Sequence, residues 1–301
     1  MPRAAYFQLR QTYFGRAFDD GPIRALLSCG FDLDIFAPGG MLPQTIYPSN
    51  VRRLDVDYRR SWLLSNVGLA RRYDLFLGTA DIPMAFAGVL AAAGRRQSVV
   101  ASDEIFLGDY SGEALLYWKS LTRWAMRRAN FTIITDALRI PLQREYIGLA
   151  GEHRFVEYPC CYAHAYAGRS RADARRALGV PEDVFLLSFT GTFTEQNGAQ
   201  WVIRLLDQLP LSVRFLVQTG GMPDPVTDAF LRRLHREGRV LYMPERVSWT
   251  EAAEISIAAD ASLVLYLSPK ADFQNLGASS TKLCTSLCSA ASMATPWRGT
   301  I

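Results

Sequence analysis

The chain has 301 residues, of which 49% are hydrophobic and 21% are charged, a balance that excludes a disordered, collagen-like or coiled-coil protein. This length exceeds one ordinary domain and predicts two domains of similar size. With 33 basic and 29 acidic residues the net charge is only +4, so the composition does not indicate a nucleic-acid partner. The five cysteines and three histidines follow no framework or metal-site spacing, and we expect neither a disulfide scaffold nor a bound metal.

The longest nearly uncharged apolar stretch, residues 82–94, is too short to cross a bilayer. The N-terminal segment carries Arg10, Arg16, Asp19 and Asp20 where a signal peptide would need an apolar core. We therefore expect a cytoplasmic protein.

Short β-branched or aromatic runs alternate with longer helical patterns along the first half, which is typical of a parallel sheet built from βαβ units. The predicted strands are 4–9, 31–37, 75–78, 98–101 and 131–135. The predicted helices are 22–28, 60–70, 83–93, 113–128 and 138–146. The first helix is expected to open at Asp20-Gly21-Pro22 and to close at Gly30.

The alternation restarts after residues 156–166, a segment that combines a short predicted strand with a proline and two adjacent cysteines. We place the domain junction there. The second half has predicted strands at 185–190, 213–218, 240–243 and 261–266, and predicted helices at 168–179, 199–208, 227–237 and 249–259. The pattern predicts an α/β protein with two Rossmann-like, doubly wound parallel-sheet domains, residues 1–165 and 166–301.

From Cys284 onward the sequence consists mostly of Ser, Thr, Ala and Cys, has no carboxylate, and lacks the strand and helix that would close the second sheet. We expect the second domain to be truncated, or this tail to come from another reading frame.

Two loops of the second half follow predicted strands, where open parallel sheets bind their ligands. Gly191 and Thr192 follow strand 185–190; glycine lets a ligand approach the backbone, and threonine offers a hydroxyl. The run after strand 261–266 is rich in Gly, Ser and Thr and contains Ser279, Ser280 and Lys282.

If Ser279 or Ser280 caps a helix starting near Thr281, free N–H groups, the helix dipole and Lys282 would together hold a diphosphate. The alternative is an ordinary polar loop with a capped helix. Neither GxxxxGK[ST] nor GxGxxG occurs, so a P-loop kinase or an NAD enzyme has no support.

Asp103 and Glu104 follow strand 98–101 in the first half. Adjacent carboxylates at this place can act as general bases or accept hydrogen bonds from sugar hydroxyls. The alternative is a helix N-terminus, which favours acidic residues.

Residues 117–128 interleave aromatic and cationic side chains at helical spacing. Such a helix can rest peripherally on an anionic membrane surface. The alternative interpretation buries the tryptophans between helix and sheet and turns the arginines to water.

Five segments, in the same order along the chain, resemble the GT-B glycosyltransferases, in particular glycosyltransferase family 4. The run RRALGVPED is similar to the family's R-x-x-L-G-x-P-x-D, and RRANFTIIT resembles R-x-A-D-x-V-I-x-V-S, with Asn130 in place of Asp. Residues 247–267 resemble the segment in which a helix ending in A-x-A-D leads into the donor-site strand. The five segments are 22–38, 99–106, 127–135, 175–191 and 247–267.

The resemblance implies two domains that face a cleft and move a sugar from a nucleotide-diphosphate sugar to a glycan, lipid or small-molecule acceptor, as in polysaccharide or cell-envelope biosynthesis. It implies no metal and no cofactor beyond the donor substrate. The expected donor contacts are Gly191, Thr192, Ser279, Ser280 and Lys282, with Arg246 near the base or ribose. Asp103 and Glu104 would face the acceptor or the reacting sugar. The resemblance favours a retaining reaction, which needs no general base, while Asp103 could serve an inverting one.

The chain departs from the family in two places. The family usually has an Arg and a Lys in the loop after the donor domain's first strand, where this chain has Phe-Thr-Glu-Gln-Asn-Gly at 193–198. Thr285 stands where the family has an acid, and the resemblance ends at Leu283. A non-catalytic or degenerate remnant is therefore the alternative function. A sugar-nucleotide epimerase of this architecture would need catalytic carboxylates and a His that are not recognisable.

Overall fold

A computed structural model describes residues 1–8, 17–38, 48–79, 81–102, 113–148, 152–158, 170–206, 208–210, 212–220, 223–245, 247 and 249–265. These residues fall into two compact units, one ending at Tyr158 and the other starting at Ser170. The predicted boundary between residues 165 and 166 lies outside the described residues and stays a prediction. Among the described helices, none combines the length and the hydropathy needed to span a membrane.

In the described part of the first unit, the strands form one parallel sheet in the order β3-β2-β1-β4-β5-β6-β7. The chain builds outward from β1 in one direction and then in the other, which makes the sheet doubly wound. The strands are Arg3–Phe7 (β1), Asp32–Ala37 (β2), Val51–Asp55 (β3), Leu75–Thr79 (β4), Gln97–Ser102 (β5), Phe131–Ile134 (β6) and Phe155–Glu157 (β7). The helices are Ala17–Ser28 (α1), Arg60–Ser65 (α2), Asp81–Gly94 (α3), Glu113–Arg128 (α4) and Ile140–Ile147 (α5).

The central strands are buried on both faces, as their continuous apolar runs predict. Along β1, Ala5 and Phe7 pack into one apolar cluster, while Ala4 and Tyr6 pack into another on the opposite face. The ring of Phe7 stacks on that of Phe36 at 4.6 Å. The sheet therefore separates two cores, each of which is closed by helices.

Near the start of the first unit, three elements differ from the sequence prediction. β3 was not predicted, because Val51–Asp55 is a partly exposed edge strand with charged residues instead of an apolar run. The predicted opening of α1 at residue 22 is wrong, since the helix begins at Ala17 and contains Pro22. The predicted helix 60–70 is divided into α2 and a 3-10 turn at Val67–Arg71.

A charged cluster ties together the amino-terminal halves of the strands in the first unit. Asp34 of β2 is buried and accepts hydrogen bonds from Arg3, Arg52 and the Tyr73 hydroxyl. Burial alone would raise the pKa of the Asp34 carboxyl, but the hydrogen bonds from Arg52 and Tyr73 outweigh it and hold that pKa below its usual value.

The described part of α4 packs against α3. A Cβ added to Gly88 of α3 would lie 2.4 Å from the Cβ of Ala125, so the two helices approach closely at this glycine. Trp124 is half-buried, with the Arg128 guanidinium over its ring, and Arg127 and Arg128 are exposed. This arrangement of Trp124 favours the packing interpretation for the C-terminal part of the helix, residues 120–128.

In the described part of the second unit, the strands form a parallel sheet in the order β10-β9-β8-β11. The strands are Phe185–Thr190 (β8), Val213–Gln218 (β9), Val240–Met243 (β10) and Ala261–Ser262 (β11). The helices are Arg171–Ala177 (α6), Ala199–Leu206 (α7), Pro225–Arg236 (α8) and Trp249–Ala258 (α9). α7 and α8 cover one face of the sheet, and α6 and α9 cover the other. The predicted α/β class with two Rossmann-like parallel sheets is thus confirmed.

A buried ion pair lies at the amino-terminal ends of the strands of the second sheet. The side chain of Arg175 in α6 is 0% exposed and reaches the carboxylate of Asp260, just before β11. The same guanidinium donates to the carbonyl oxygens of Pro181, Glu182, Val184 and Ala258 at 2.9–3.0 Å. Two segments of the family resemblance, 175–191 and 247–267, therefore meet in a structural contact.

Candidate functional site

The carboxyl ends of β8 and β11 form the topological switch point of the second sheet. After β8 the chain continues through β9 to β10 on one side, and it then returns to place β11 on the other side of β8. In open parallel sheets a ligand crevice lies at this point, because the connections leave the two strand ends in opposite directions. Gly191 and Thr192 directly follow β8, so the structure places these two predicted site residues at the switch point.

Gly191 turns the chain sharply as it leaves β8. Its φ of +98° lies in a region that residues with a side chain rarely adopt. Its N–H points back to Gln218 at the end of β9, at 2.9 Å from the main-chain oxygen and 3.3 Å from the side-chain Oε1. The glycine thus has a conformational role, and its contact with a ligand stays a prediction.

Thr192 is the exposed residue of this turn. In the part of the chain that the structure describes, neither its N–H nor its hydroxyl has a hydrogen-bond partner. The next residue, Phe193, is buried and packs edge-on against Phe189 of β8, with ring centroids 5.1 Å apart. Because Phe193 anchors the turn in the core, Thr192 is held at the surface with its polar groups available.

The rest of the loop leads into α7 through a 3-10 turn, Glu195–Asn197, and Gly198. Gly198 has a φ of +76°, and a Cβ placed on it would lie 2.8 Å from the Leu265 side chain, beyond β11. This close approach packs the loop after β8 against the segment after β11. The described residues after β11, 263–265, therefore lie beside the loop after β8, whereas the Gly-, Ser- and Thr-rich run that follows them lies outside the described residues.

The loop carries no cation at the positions where the family resemblance would place Arg and Lys. Glu195 is exposed, and Asn197 donates its side-chain N–H to the Thr194 hydroxyl at 3.0 Å. The described arginines of this unit lie in α6, in the later parts of α7 and α8, near the start of β9 and at residue 239, towards the opposite edge of the sheet. The described part of the second unit therefore places no arginine at the switch point.

Gln218 and Thr219, which sequence reasoning missed, connect the strand ends. The Gln218 side chain is buried and donates to the carbonyl oxygens of Thr219 and Glu245, at 2.9 and 3.1 Å. The Thr219 hydroxyl donates to the carbonyl of Pro244 at 3.2 Å. The sequence feature that could have indicated these residues is the Gln-Thr-Gly-Gly run at 218–221, where polar residues and glycines stand at the end of a buried strand.

The other predicted site residues lie outside the described part of the chain, and their roles stay predictions. These are Asp103, Glu104, Arg246, Ser279, Ser280 and Lys282. The structure does describe the strand that leads to the carboxylate pair, since β5 ends at Ser102. Within the described ranges, no group of three His, Cys, Asp or Glu is arranged to hold a metal ion.

No protein-family model matches the sequence, and no curated protein matches it either. Among solved structures, the sucrose-phosphate synthase from Thermosynechococcus elongatus is 16% identical, with a TM-score of 0.63 over 89% of this chain and 76% of its own. HepE from Anabaena, solved in complex with UDP and glucose, is 15% identical, with a TM-score of 0.62 over 90% of this chain and 76% of its own. A UDP-forming trehalose-phosphate synthase from Burkholderia vietnamiensis is 14% identical, with a TM-score of 0.59 over 96% of this chain and 82% of its own. These neighbours are GT-B glycosyltransferases, and the likeness shows that the chain shares their fold.

Proposed function

We propose that the chain is a glycosyltransferase that moves a sugar from a nucleotide-diphosphate sugar to a glycan, lipid or small-molecule acceptor. The observation that carries the proposal is the exposed Thr192, held with its N–H and hydroxyl available at the switch point of the second sheet. Unpaired backbone N–H groups at such a point are suited to phosphate oxygens. Structural neighbours solved with UDP, with UDP and glucose or with UDP-glucose support a nucleotide sugar as the ligand.

In this proposal Gly191 and Thr192 contact the donor from the end of β8. Ser279, Ser280 and Lys282 supply further donors and a positive charge, and Arg246 lies near the base or ribose. Departure of the diphosphate is then assisted by these cations and by N–H groups, without a metal ion. Asp103 and Glu104, which follow β5 of the first unit, act on the acceptor or the reacting sugar.

The acceptor belongs, in this proposal, to polysaccharide or cell-envelope biosynthesis on the cytoplasmic side. Peripheral membrane contact through the N-terminal part of α4 is a further component, since Trp118 and Lys119 lie there in the sequence. Partition of the protein between buffer and anionic vesicles tests this component independently of catalysis.

A non-catalytic remnant of the same fold is the second candidate function. The observation that favours it is Glu195, an exposed acid in the loop where the family resemblance would place basic residues. An acid close to a diphosphate opposes its binding. The two candidates differ in whether any nucleotide diphosphate binds.

Thermal unfolding with UDP, GDP and their sugars distinguishes the two. A transferase should be stabilised by one nucleotide family, by about 2.7 kcal/mol at one hundred times the Kd. Thr192→Val should weaken that binding, whereas Thr194→Val should not, because the Thr194 hydroxyl already bonds Asn197 within the loop. No stabilisation by any of these nucleotides would favour the remnant.

A further inference from the structure

The side chain of Gln218 is the common hydrogen-bond partner of three strand ends in the second unit. It is 4% exposed and lies at the last position of β9. Its Oε1 accepts from the Gly191 N–H after β8, while its Nε2 donates to the Thr219 carbonyl after β9 and to the Glu245 carbonyl after β10. Both N–H bonds of the amide are thus used, and the oxygen is engaged as well.

This arrangement is more than a satisfied buried amide, because its partners are all main-chain groups of loops. A residue that only filled space at the end of β9 would be apolar, since burial of an amide is favourable only when its hydrogen bonds are made. Each bond of the Gln218 side chain adds to the last main-chain bonds of the sheet, which are the 2.9 Å bond from the Gly191 N–H to the Gln218 carbonyl and the 3.0 Å bond from the Thr219 N–H to the Met243 carbonyl. The side chain therefore sets the relative positions of the three loops.

The loop positions matter for Thr192. A Cβ added to Gly220 would lie 3.8 Å from the Thr192 nitrogen, so the turns after β8 and β9 are adjacent. Gly191, which precedes Thr192, is bonded to both the main-chain and side-chain oxygens of Gln218. The orientation of the Thr192 N–H thus depends on the turn that Gln218 holds.

We propose that Gln218 is a positioning residue, which pre-organises the turn at Gly191 and Thr192 for a nucleotide diphosphate. The inference rests on the proposed function, because it assigns the ligand from it. When a site already has its binding conformation, less free energy is lost in ordering it on ligand binding. Loss of Gln218 should therefore reduce the free energy of nucleotide binding by more than it reduces the free energy of unfolding of the second unit.

The test compares Gln218→Met with Leu234→Ala as the control. Methionine has a similar volume and makes none of the three bonds. Leu234 is buried in α8, and its truncation destabilises the same unit at a place remote from the strand-end loops. We expect Gln218→Met to weaken UDP binding at least about tenfold in calorimetry, and Leu234→Ala to keep the parent Kd.

Amide hydrogen exchange of the ligand-free proteins provides a readout that does not need the nucleotide. Exchange in residues 191–198 should become at least about tenfold faster in Gln218→Met and stay unchanged in Leu234→Ala. Equal exchange in parent and Gln218→Met overturns the positioning role. A parent protein that binds neither UDP nor GDP overturns the proposed function, while the exchange result still decides whether Gln218 positions the loop.

If Gln218→Met fails to fold, Gln218→Glu replaces it. Its carboxylate accepts from the Gly191 N–H but cannot donate to the carbonyls of Thr219 and Glu245. We expect faster exchange at 219–220, and weaker UDP binding that recovers towards the parent value as the pH is lowered and the carboxyl regains a donor. UDP binding equal to that of the parent at neutral pH would overturn the proposal.

Discussion

Replacement of Arg175 by methionine should destabilise the second unit strongly. The guanidinium is fully buried and bonds four carbonyl oxygens and the Asp260 carboxylate. Methionine fills much of the space, so the loss comes mainly from polar groups left without a donor. Asp260 keeps its bonds to Arg171 and to the Leu186 N–H, which limits the effect. Removing one partner of a buried ion pair costs about 3–5 kcal/mol, and we expect a loss in this range.

The assay is urea unfolding followed by circular dichroism, with the neighbouring Arg176→Met as a matched control. Arg176 is 77% exposed and forms a surface ion pair with Asp173 three residues earlier, so its loss should cost less than about 1 kcal/mol. For Arg175→Met the midpoint of thermal unfolding should fall on the order of 10 °C. Equal unfolding free energies for the two variants would refute the assignment of Arg175 as the structural contact.

Three further predictions concern the first unit and the candidate site. Asp34→Asn should cost about 2–3 kcal/mol at pH 7, because the charge-assisted bond to Arg52 is weakened. The pKa of Asp34 is lowered in the folded protein, so the stabilisation by its carboxylate is present above the unfolded pKa of about 3.9 and is lost as the pH falls through the folded pKa. In urea titrations, the difference in unfolding free energy between Asp34→Asn and the parent should therefore shrink below about pH 4. A difference that stays constant with pH would contradict this. Gly191→Ala should cost about 1–2 kcal/mol in unfolding experiments and weaken UDP binding, because its φ is +98°; a variant as stable as the parent would show that the turn tolerates a side chain. Lys282→Ala should weaken nucleotide-sugar binding at least about tenfold, or 1.4 kcal/mol, and titration curves equal to those of the parent would remove Lys282 from the site.

The sequence predicted three strands of the second unit, β8, β9 and β10, with the observed bounds. These strands are mostly apolar runs in a parallel sheet, so their hydrophobic pattern alone distinguishes them. The edge strand β3 has no such pattern. Its pairing with β2 is made by backbone hydrogen bonds, which do not require apolar side chains. Pro22 favoured a helix start at the wrong residue, because proline is usual in a first turn and the chain uses it further inside.

The candidate site could be predicted only in part. Gly191 was recognisable because a glycine directly after a buried strand marks a sharp turn or a close approach to the backbone. Gln218 was not, since an amide near a chain turn is usually exposed, and its three bonds join loops that are distant in the sequence. The ion pair between Arg175 and Asp260 joins residues that are 85 positions apart in the sequence. The motif around each residue does not indicate that the other is its partner.

The buried ionic contacts of both sheets lie towards the amino-terminal ends of the strands, at Asp34 in the first unit and at Arg175 in the second. The loops of the candidate site leave from the opposite ends. Substitutions in those loops therefore leave the ionic contacts intact, and a protein built in this way can exchange one ligand for another over evolutionary time while its architecture persists. Directed evolution for new donors should accordingly concentrate its libraries on residues 191–198 and 218–220 and keep Arg175 and Asp260 constant.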